Sequence, residues 1–272
     1  MTISHKIPNE VNTSTLSASH KQLTNRRLAR ITSFMASARI LLRDGQPRVV
    51  GSFGSLLDLQ NTDIHTADEA CDLAEIRLDL LQAHCPAIQP GIWSHLQGIP
   101  LLFTARRREE GGALDLTAGE RMNLLENALD SAAWVDIEVA SIGECGDILA
   151  ELTARNIPWL ASYHDFEKLP ETTKLEEAAA AAKAAGAAMF KAAAKMITPA
   201  DLTRLADFQL ADHGIPVSTM GMGPLAPVSR LLCAQCGSHF NYGFLGNTAT
   251  APGQWDSALL KKAISRLTQF RI

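Results

Sequence analysis

The stretch Gly186-Ala-Ala-Met-Phe-Lys191-Ala-Ala-Ala194 follows an alanine-rich run of helical character and is apolar except for one lysine. Its length and composition predict a strand, and a strand that is apolar throughout is typical of a parallel sheet covered on both faces. Burial would lower the pKa of Lys191 and leave part of the amine uncharged at neutral pH. Such an amine can form a Schiff base with a carbonyl compound. The alternative is a lysine at a strand end that extends to solvent without a catalytic role.

The same unit, a short apolar run followed by helix-length sequence, recurs along the chain. Four predicted helix starts lie between the runs: capping boxes at Thr66 with Glu69, Thr117 with Glu120 and Thr173 with Glu176, and the pair Thr198-Pro199. The eight predicted strands cover residues 48–52, 74–80, 99–105, 134–140, 157–163, 187–193, 216–220 and 240–245. Alternating strands and helices indicate a parallel sheet, and eight units in 272 residues predict an α/β protein with a closed (β/α)8 TIM barrel.

The structural alternative to a barrel is an open, doubly wound sheet. Its glycine-rich nucleotide-binding fingerprint is missing, because Gly221-Met-Gly-Pro-Leu-Ala resembles the fingerprint only superficially and Pro224 blocks a helix there. We therefore favour the barrel.

The amino-terminal part of the chain has a different composition from the rest. Residues 1–35 are rich in Ser, Thr, Asn and basic residues, without a steady apolar period, and predict a poorly ordered extension. An organelle transit peptide is the alternative, since no acid lies between Glu10 and Asp44. Asp44-Gly45 between two β-rich runs predicts an N-terminal β-hairpin. We therefore expect the barrel to cover residues 36–272.

Composition excludes several classes of protein. The net charge of −4 argues against general affinity for nucleic acid, which requires a basic face. No apolar run approaches the roughly 18–20 residues that span a bilayer, and no secretory signal is present near Met1. The five cysteines are scattered and odd in number, which indicates reduced thiols in a cytosol-like compartment.

Unusual polar residues recur near the carboxyl ends of the predicted strands, where barrels carry their chemistry. In chain order they are Glu75, Arg77 and Asp79, then Arg106 to Glu110, Asp136 and Glu138, His164, Lys191, Arg230, Thr250 and Gln254. His164 lies one strand before Lys191, which would bring an acid–base group beside an imine. Arg77, Arg106 and Arg230 would repel one another unless they surround an anion, and guanidinium groups suit carboxylates. The set predicts a site for a small, polyhydroxylated keto acid.

Together these motifs resemble the type I 3-dehydroquinate dehydratases, in order from about residue 38 to the C-terminus. The matching stretches are Glu75-Ile-Arg77-Leu-Asp79, Leu101 through Arg106 to Glu110-Gly-Gly, Ser162-Tyr-His164-Asp-Phe, Gly186 through Lys191, Met220-Gly-Met222 through Ser229-Arg230-Leu, and Thr250-Ala-Pro-Gly-Gln254. The resemblance implies a (β/α)8 barrel and a homodimer. It also implies a cytoplasmic enzyme of the shikimate pathway that uses neither a metal nor an organic cofactor.

The resemblance also implies a role for each matching residue. Lys191 would form an imine with the C3 ketone of 3-dehydroquinate, and His164 would remove the C2 proton and then protonate the departing C1 hydroxyl. A histidine suits both tasks because its pKa lies near neutral pH. Glu110 would orient His164. The remaining residues would bind substrate: Glu75, Arg77 and Arg106 at the ring hydroxyls, Arg230 with Gln254 at the carboxylate, and Ser52 and Thr250 as further hydrogen-bonding groups.

Some features lie outside the family pattern. Thr250 stands where the family often has serine, which keeps the hydroxyl. Cys233, Cys236 and His239 form a weak metal pattern that lacks a fourth ligand, so packing or a free thiol pair is the favoured interpretation. Lys195 shares strand phase with Lys191, and only the resemblance selects Lys191.

Three further expectations concern the remaining charges and the function. We expect Asp136 and Glu138 to bind cations of neighbouring strands. The alternatives to a dehydratase are a catalytically silent, quinate-type ligand-binding regulatory barrel and another imine-forming enzyme of the aldolase kind. Biosynthesis and quinate catabolism use the same dehydration, so the metabolic context stays open.

Overall fold

The structure, a computed structural model, describes residues 46–85 and 87–268. The predicted hairpin lies largely outside these residues, as does the extension 1–35. Eight strands are present: β1 Arg48–Phe53, β2 Leu73–Arg77, β3 Leu101–Thr104, β4 Trp134–Glu138, β5 Trp159–Asp165, β6 Met189–Lys195, β7 Val217–Met222 and β8 Phe240–Leu245. The α-helices are α1 Leu56–Asn61, α2 Ile64–Ala70, α3 Leu78–His84, α4 Ala118–Glu126, α5 Gly146–Ala154, α6 Thr172–Ala184, α7 Pro199–Leu210, α8 Ala226–Gln235 and α9 Ser257–Ile264.

The eight strands form one parallel sheet that curves into a barrel. Their order is β7-β6-β5-β4-β3-β2-β1-β8. Between the two ends of this order, the backbone N–H of Phe240 donates to Ser218 Oγ at 2.7 Å, and the backbone N–H of His239 donates to the Val217 carbonyl at 3.3 Å. These bonds link β7 to β8, and the predicted (β/α)8 barrel is confirmed.

Two apolar layers hold the barrel together. Residues such as Phe103, Val135 and Phe190 point outward and pack against the helices. The alternate residues point inward and form a separate apolar cluster, whose aromatic members are Trp134, Phe240 and Tyr242. Because strand side chains alternate in direction, the inward positions that follow this cluster bring Glu75, Thr104, Asp136, Ser162 and Lys191 to one end of the barrel interior.

Most predicted strands are present with shifted ends, and one shift matters for the site. The predicted strand 74–80 ends at Arg77, and Asp79 lies in the first turn of α3. The period-two pattern predicted that Asp79 shares a strand face with Glu75 and Arg77, and this prediction is wrong. Asp79 folds back and accepts hydrogen bonds from the Arg77 guanidinium at 2.8 and 2.9 Å. Lys195 is the last residue of β6 and is exposed.

The predicted helix caps are correct at two of four positions. Thr117 and Thr198 start their helices with capping boxes, completed by Glu120 and Asp201. Thr66 is instead inside α2, which begins after Asp63, and the Asp63 carboxylate accepts from the Thr66 backbone N–H at 2.9 Å. Thr173 lies inside α6, which begins after Glu171. In both wrong cases the chain enters the helix upstream of the local motif.

Within residues 46–85 and 87–268, no helix combines the length and apolar character needed to cross a membrane.

Candidate active site

A polar cavity opens at the carboxyl ends of the strands. It brings together all ten residues predicted to form the site: Ser52, Glu75, Arg77, Arg106, Glu110, His164, Lys191, Arg230, Thr250 and Gln254. They come from strands and from the segments that follow them, which explains why residues up to 202 positions apart in sequence meet here. This end of a barrel is where active sites of the fold occur.

Lys191 lies in the middle of β6 and is 4% exposed. Its Nζ atom lies 2.9 Å from Asp136 Oδ2 and 4.1 Å from the centroid of the Tyr242 ring. Burial lowers the pKa of Lys191, while Asp136 opposes this shift and Arg106 adds to it. A carboxylate thus contacts the amine directly, although the neighbouring residues of the strand are apolar. The strand-end, solvent-directed interpretation of Lys191 is wrong.

His164 and Glu110 form a pair beside the lysine. One oxygen of Glu110 accepts hydrogen bonds from the His164 backbone N–H and from Nδ1, both at 2.9 Å. Burial and the cations Arg106 and Lys191 hold the pKa of His164 well below its usual value. Burial raises the pKa of Glu110 to about 7. With Glu110 ionised, Nδ1–H donates to it and Nε2 is the basic nitrogen of the ring.

Arg106 forms ion pairs with two carboxylates of β4. Its two terminal nitrogens donate to both oxygens of Asp136, at 3.0 and 2.8 Å, and one also donates to Glu138 at 2.9 Å. The Ser162 hydroxyl bridges Arg106 and Asp136. Asp136 thus binds two cations, and their charge keeps its pKa far below the usual value despite burial. Asp136 and Glu138 therefore bind cations, as expected from the sequence.

Asp79 and Glu75 hold neighbouring segments of the cavity together through hydrogen bonds. Besides Arg77, Asp79 accepts from the backbone N–H groups of Arg106 and Ala113, at 3.2 and 3.1 Å, so it anchors the loop after β3. The carboxylate of Glu75 accepts from the hydroxyls of Ser52 and Thr104. Sequence reasoning assigned no role to Asp79 or Thr104, although Asp79 stands in one of the quoted motifs.

Arg230 differs from the other two arginines of the cavity. It is 1% exposed, and one of its terminal nitrogens donates to the Tyr242 carbonyl at 2.6 Å. Among the carboxylates of residues 46–85 and 87–268, none forms an ion pair with it. Burial without a counter-ion lowers its pKa to about 10. Arg77 and Arg106 are thus each paired with a carboxylate of the protein, whereas Arg230 has none among the described residues, so it is the arginine of the three whose charge an anionic ligand would balance.

Thr250 and Gln254 form the rim next to Arg230. The Gln254 carbonyl oxygen accepts from the Thr250 backbone N–H at 2.8 Å and from its hydroxyl at 2.9 Å. This leaves the Gln254 amide nitrogen as the available donor.

The cysteine pattern lies elsewhere. Cys233 and Cys236 are buried free thiols, and burial raises the pKa of Cys233 to about 12. In the part of the chain that the structure describes, no group of three or more His, Cys, Asp or Glu side chains is arranged to hold a metal ion.

The fold and the cavity define this protein as a (β/α)8-barrel enzyme with a buried lysine and a histidine–carboxylate pair in its polar cavity. The sequence model of type I 3-dehydroquinase matches residues 53–271, which is most of the chain. The chain therefore belongs to the type I 3-dehydroquinase family.

Individual relatives agree with this assignment. The 3-dehydroquinate dehydratase of Haloquadratum walsbyi is 32% identical over 226 residues, which cover 78% of this chain and 90% of that protein. The 3-dehydroquinate dehydratase of Methanocella arvoryzae is 30% identical over 211 residues, covering 78% and 92%. The crystal structure of 3-dehydroquinate dehydratase from Geobacillus kaustophilus superposes with a TM-score of 0.71 at 26% identity, covering 81% of this chain and 90% of that one.

Proposed function

We propose that this enzyme dehydrates 3-dehydroquinate to 3-dehydroshikimate through a Schiff base on Lys191, with His164 as the acid–base group. The observation that carries the proposal is that the Lys191 amine, the His164–Glu110 pair and the unbalanced Arg230 guanidinium all line one cavity. A keto acid has a carbonyl group for the amine and a carboxylate for the guanidinium. Such a substrate would supply the negative charge that Arg230 lacks.

The reaction begins when the uncharged Lys191 amine attacks the C3 ketone and water is lost to form the imine. Burial favours the uncharged amine, and Asp136, 2.9 Å from Nζ, stabilises the iminium cation once it forms. The iminium withdraws electrons from C2 and acidifies its proton.

His164 then removes the C2 proton, and the C1 hydroxyl departs as water when the same histidine returns the proton to it. Hydrolysis of the imine releases 3-dehydroshikimate and restores Lys191, so the net change is the loss of one water molecule. A histidine with a lowered pKa is unprotonated at neutral pH and ready to act first as a base. Glu110 holds the ring through Nδ1 and stabilises the imidazolium formed in between.

The decisive experiment is to incubate the enzyme with 3-dehydroquinate, add borohydride, and map the adduct by mass spectrometry. We expect a reduced adduct on Lys191, and absorbance from the conjugated enone in unreduced samples. Lys191→Ala should abolish the adduct. His164→Ala should still form the imine but lose about two to four orders of magnitude in turnover, as expected for removal of a general acid–base.

The matched control is Lys195→Ala, since Lys195 lies on the same side of β6 but is exposed. This variant should form the adduct and turn over like the wild type. Binding of 3-dehydroquinate without an adduct would support the silent regulatory barrel instead. Capture of other carbonyl compounds in preference to 3-dehydroquinate would support an aldolase-type enzyme. Full turnover by Lys191→Ala or His164→Ala would contradict the role of that residue.

Three further expectations belong to the same proposal: the homodimer that the family resemblance implies, a cytoplasmic location, and a catalytic domain over residues 36–272 preceded by a separate extension. Light scattering of the purified chain measures the dimer. Amino-terminal sequencing of the native protein determines whether residues 1–35 are retained. Growth on quinate, compared with growth without aromatic amino acids in a deletion strain, separates catabolism from biosynthesis.

A further inference from the structure

Tyr242 lines the cavity but has no part in the mechanism above. It lies on β8, points into the barrel and is 3% exposed. The Lys191 nitrogen lies over the face of its ring, 4.1 Å from the centroid. The face of an aromatic ring carries partial negative charge and attracts cations at this distance.

A second observation concerns the groups that balance the charge of Lys191. The oxygen of Asp136 that contacts Lys191 also accepts from Arg106, at 2.8 Å, and the other Asp136 oxygen accepts from Arg106 as well. Asp136 therefore contacts two buried cations, of which Arg106 also pairs with Glu138. The Tyr242 ring is a further group of the cavity that favours positive charge on the Lys191 nitrogen.

We infer that Tyr242 is a positioning residue whose ring face stabilises the cationic states of the Lys191 nitrogen, first the ammonium and then the iminium. This inference rests on the proposed Schiff-base function. The charged and titratable groups that face Lys191 from other elements are Asp136 on β4, Arg106 after β3, Glu75 on β2 and His164 on β5. A change at Tyr242 alters none of them, so its effect on Lys191 can be measured separately.

The tyrosine hydroxyl provides a matched control. It is buried and has no hydrogen-bond partner among the residues that the structure describes. Tyr242→Phe therefore keeps the ring face and removes no hydrogen bond to the protein, whereas Tyr242→Leu removes the ring. Phe240→Leu is the second control, because Phe240 points inward from the same strand but packs edge-on against Trp134, with 5.1 Å between centroids.

The measurement is the pH dependence of imine capture, with 3-dehydroquinate and borohydride as the probe. Capture requires the uncharged amine, so its rate rises with pH through the pKa of Lys191. Loss of the ring disfavours the ammonium, and Tyr242→Leu should move this rising limb to lower pH by about one unit, as expected for a desolvated cation–π contact. The same variant should lower kcat about tenfold, because the iminium is also less stable.

Tyr242→Phe should keep the limb at its wild-type position, and Phe240→Leu should lower stability without moving it. If Tyr242→Leu does not fold, phenylalanines with two or three ring fluorines at position 242 keep the shape and weaken the negative face. They should move the limb stepwise to lower pH.

The outcomes separate the two proposals. This inference alone would be overturned if wild-type Lys191 forms the adduct and the rising limb of the capture rate stays at the same pH in the leucine and fluorinated variants. Absence of any adduct on wild-type Lys191 would overturn the proposed function, and this inference with it.

Discussion

Single residues of the cavity differ in how their charge is balanced. Arg106 and Lys191 share Asp136, and Arg77 is paired with Asp79, so these cations are neutralised within the protein. Arg230 has no such partner in the described residues, and Glu110 holds its proton more tightly than an ordinary carboxyl. Removal of one partner of a buried ion pair costs several kcal/mol of unfolding free energy, because the other charge stays buried without a counter-ion. Substitution of these paired residues should therefore destabilise the protein. Arg230 is therefore available to an anionic ligand, and Glu110 is available to a proton.

Glu110 should make stability depend on pH. A carboxyl whose pKa is raised on folding, here from 4.5 to about 7, stabilises the folded chain while it is protonated. This contribution is fully present below the unfolded pKa and is lost as pH rises through 7. Relative to Glu110→Gln, the wild type should therefore lose up to about 3 kcal/mol of unfolding free energy between pH 4.5 and 7.5, measured by urea denaturation.

His164 acts in the opposite direction, because its pKa is lowered on folding and its contribution is lost as pH falls below 6.5. Because Glu110 contacts the His164 ring directly, Glu110→Gln changes the titration of both groups, and the difference between the two curves reports the coupled pair. Parallel curves for the two proteins would contradict the raised pKa.

Elements begin and end where tertiary contacts allow, not always where a local motif predicts. Thr117 starts α4, whereas Thr173 occurs in the same kind of motif but lies inside α6. Asp79 was predicted on a strand and lies in a helix, since the chain leaves the barrel wall at Arg77. Each motif describes only three or four residues. Whether the helix begins at the motif or a few residues upstream depends on the path of the chain between strand and helix.

Thr117→Ala and Thr173→Ala therefore form a matched pair at the scale of elements. Thr117→Ala removes a cap that accepts from the Glu120 backbone N–H, and should cost about 1 kcal/mol of unfolding free energy. Thr173→Ala removes an exposed side chain from the first turn of α6 and should change stability by less than about 0.5 kcal/mol. Urea midpoints at constant m-value measure both. Equal losses would indicate that Thr173 caps its helix after all.

The whole molecule depends on closure of the barrel between β7 and β8. Ser218, fully buried on β7, accepts the Phe240 backbone N–H of β8 at 2.7 Å. A side chain thus satisfies a backbone donor at the seam. Closure also brings Tyr242 of β8 against Lys191 of β6 and against Arg230 of α8, so the seam helps to complete the cavity.

Ser218→Ala should accordingly destabilise the protein by about 1–3 kcal/mol, the cost of leaving a buried donor without its acceptor. The control is Ser94→Ala, which removes an exposed hydroxyl bonded to the Gly91 carbonyl and should have little effect. Chemical denaturation measures both variants. A Ser218→Ala protein as stable as the Ser94 variant would indicate that the seam does not rely on this bond.

The sequence by itself determined the alternation of strands and helices, and through it the barrel. Apolar runs such as the one around Lys191 can be buried on both faces only in a parallel sheet, and eight of them in one chain close on themselves. The family resemblance carried by the ordered motifs also selected ten residues that meet in one cavity.

Only the tertiary structure decided which charges neutralise one another. The Asp136 carboxylate contacts Arg106 and Lys191, and Arg230 stays without a carboxylate in the described residues, although the three arginines look alike in sequence. The same holds for Tyr242, which reads as an ordinary inward residue of β8 until folding brings its ring under the lysine. Hydrophobic periodicity is a property of neighbouring residues, whereas ion pairs join side chains from distant strands whose distances exist only after the barrel closes.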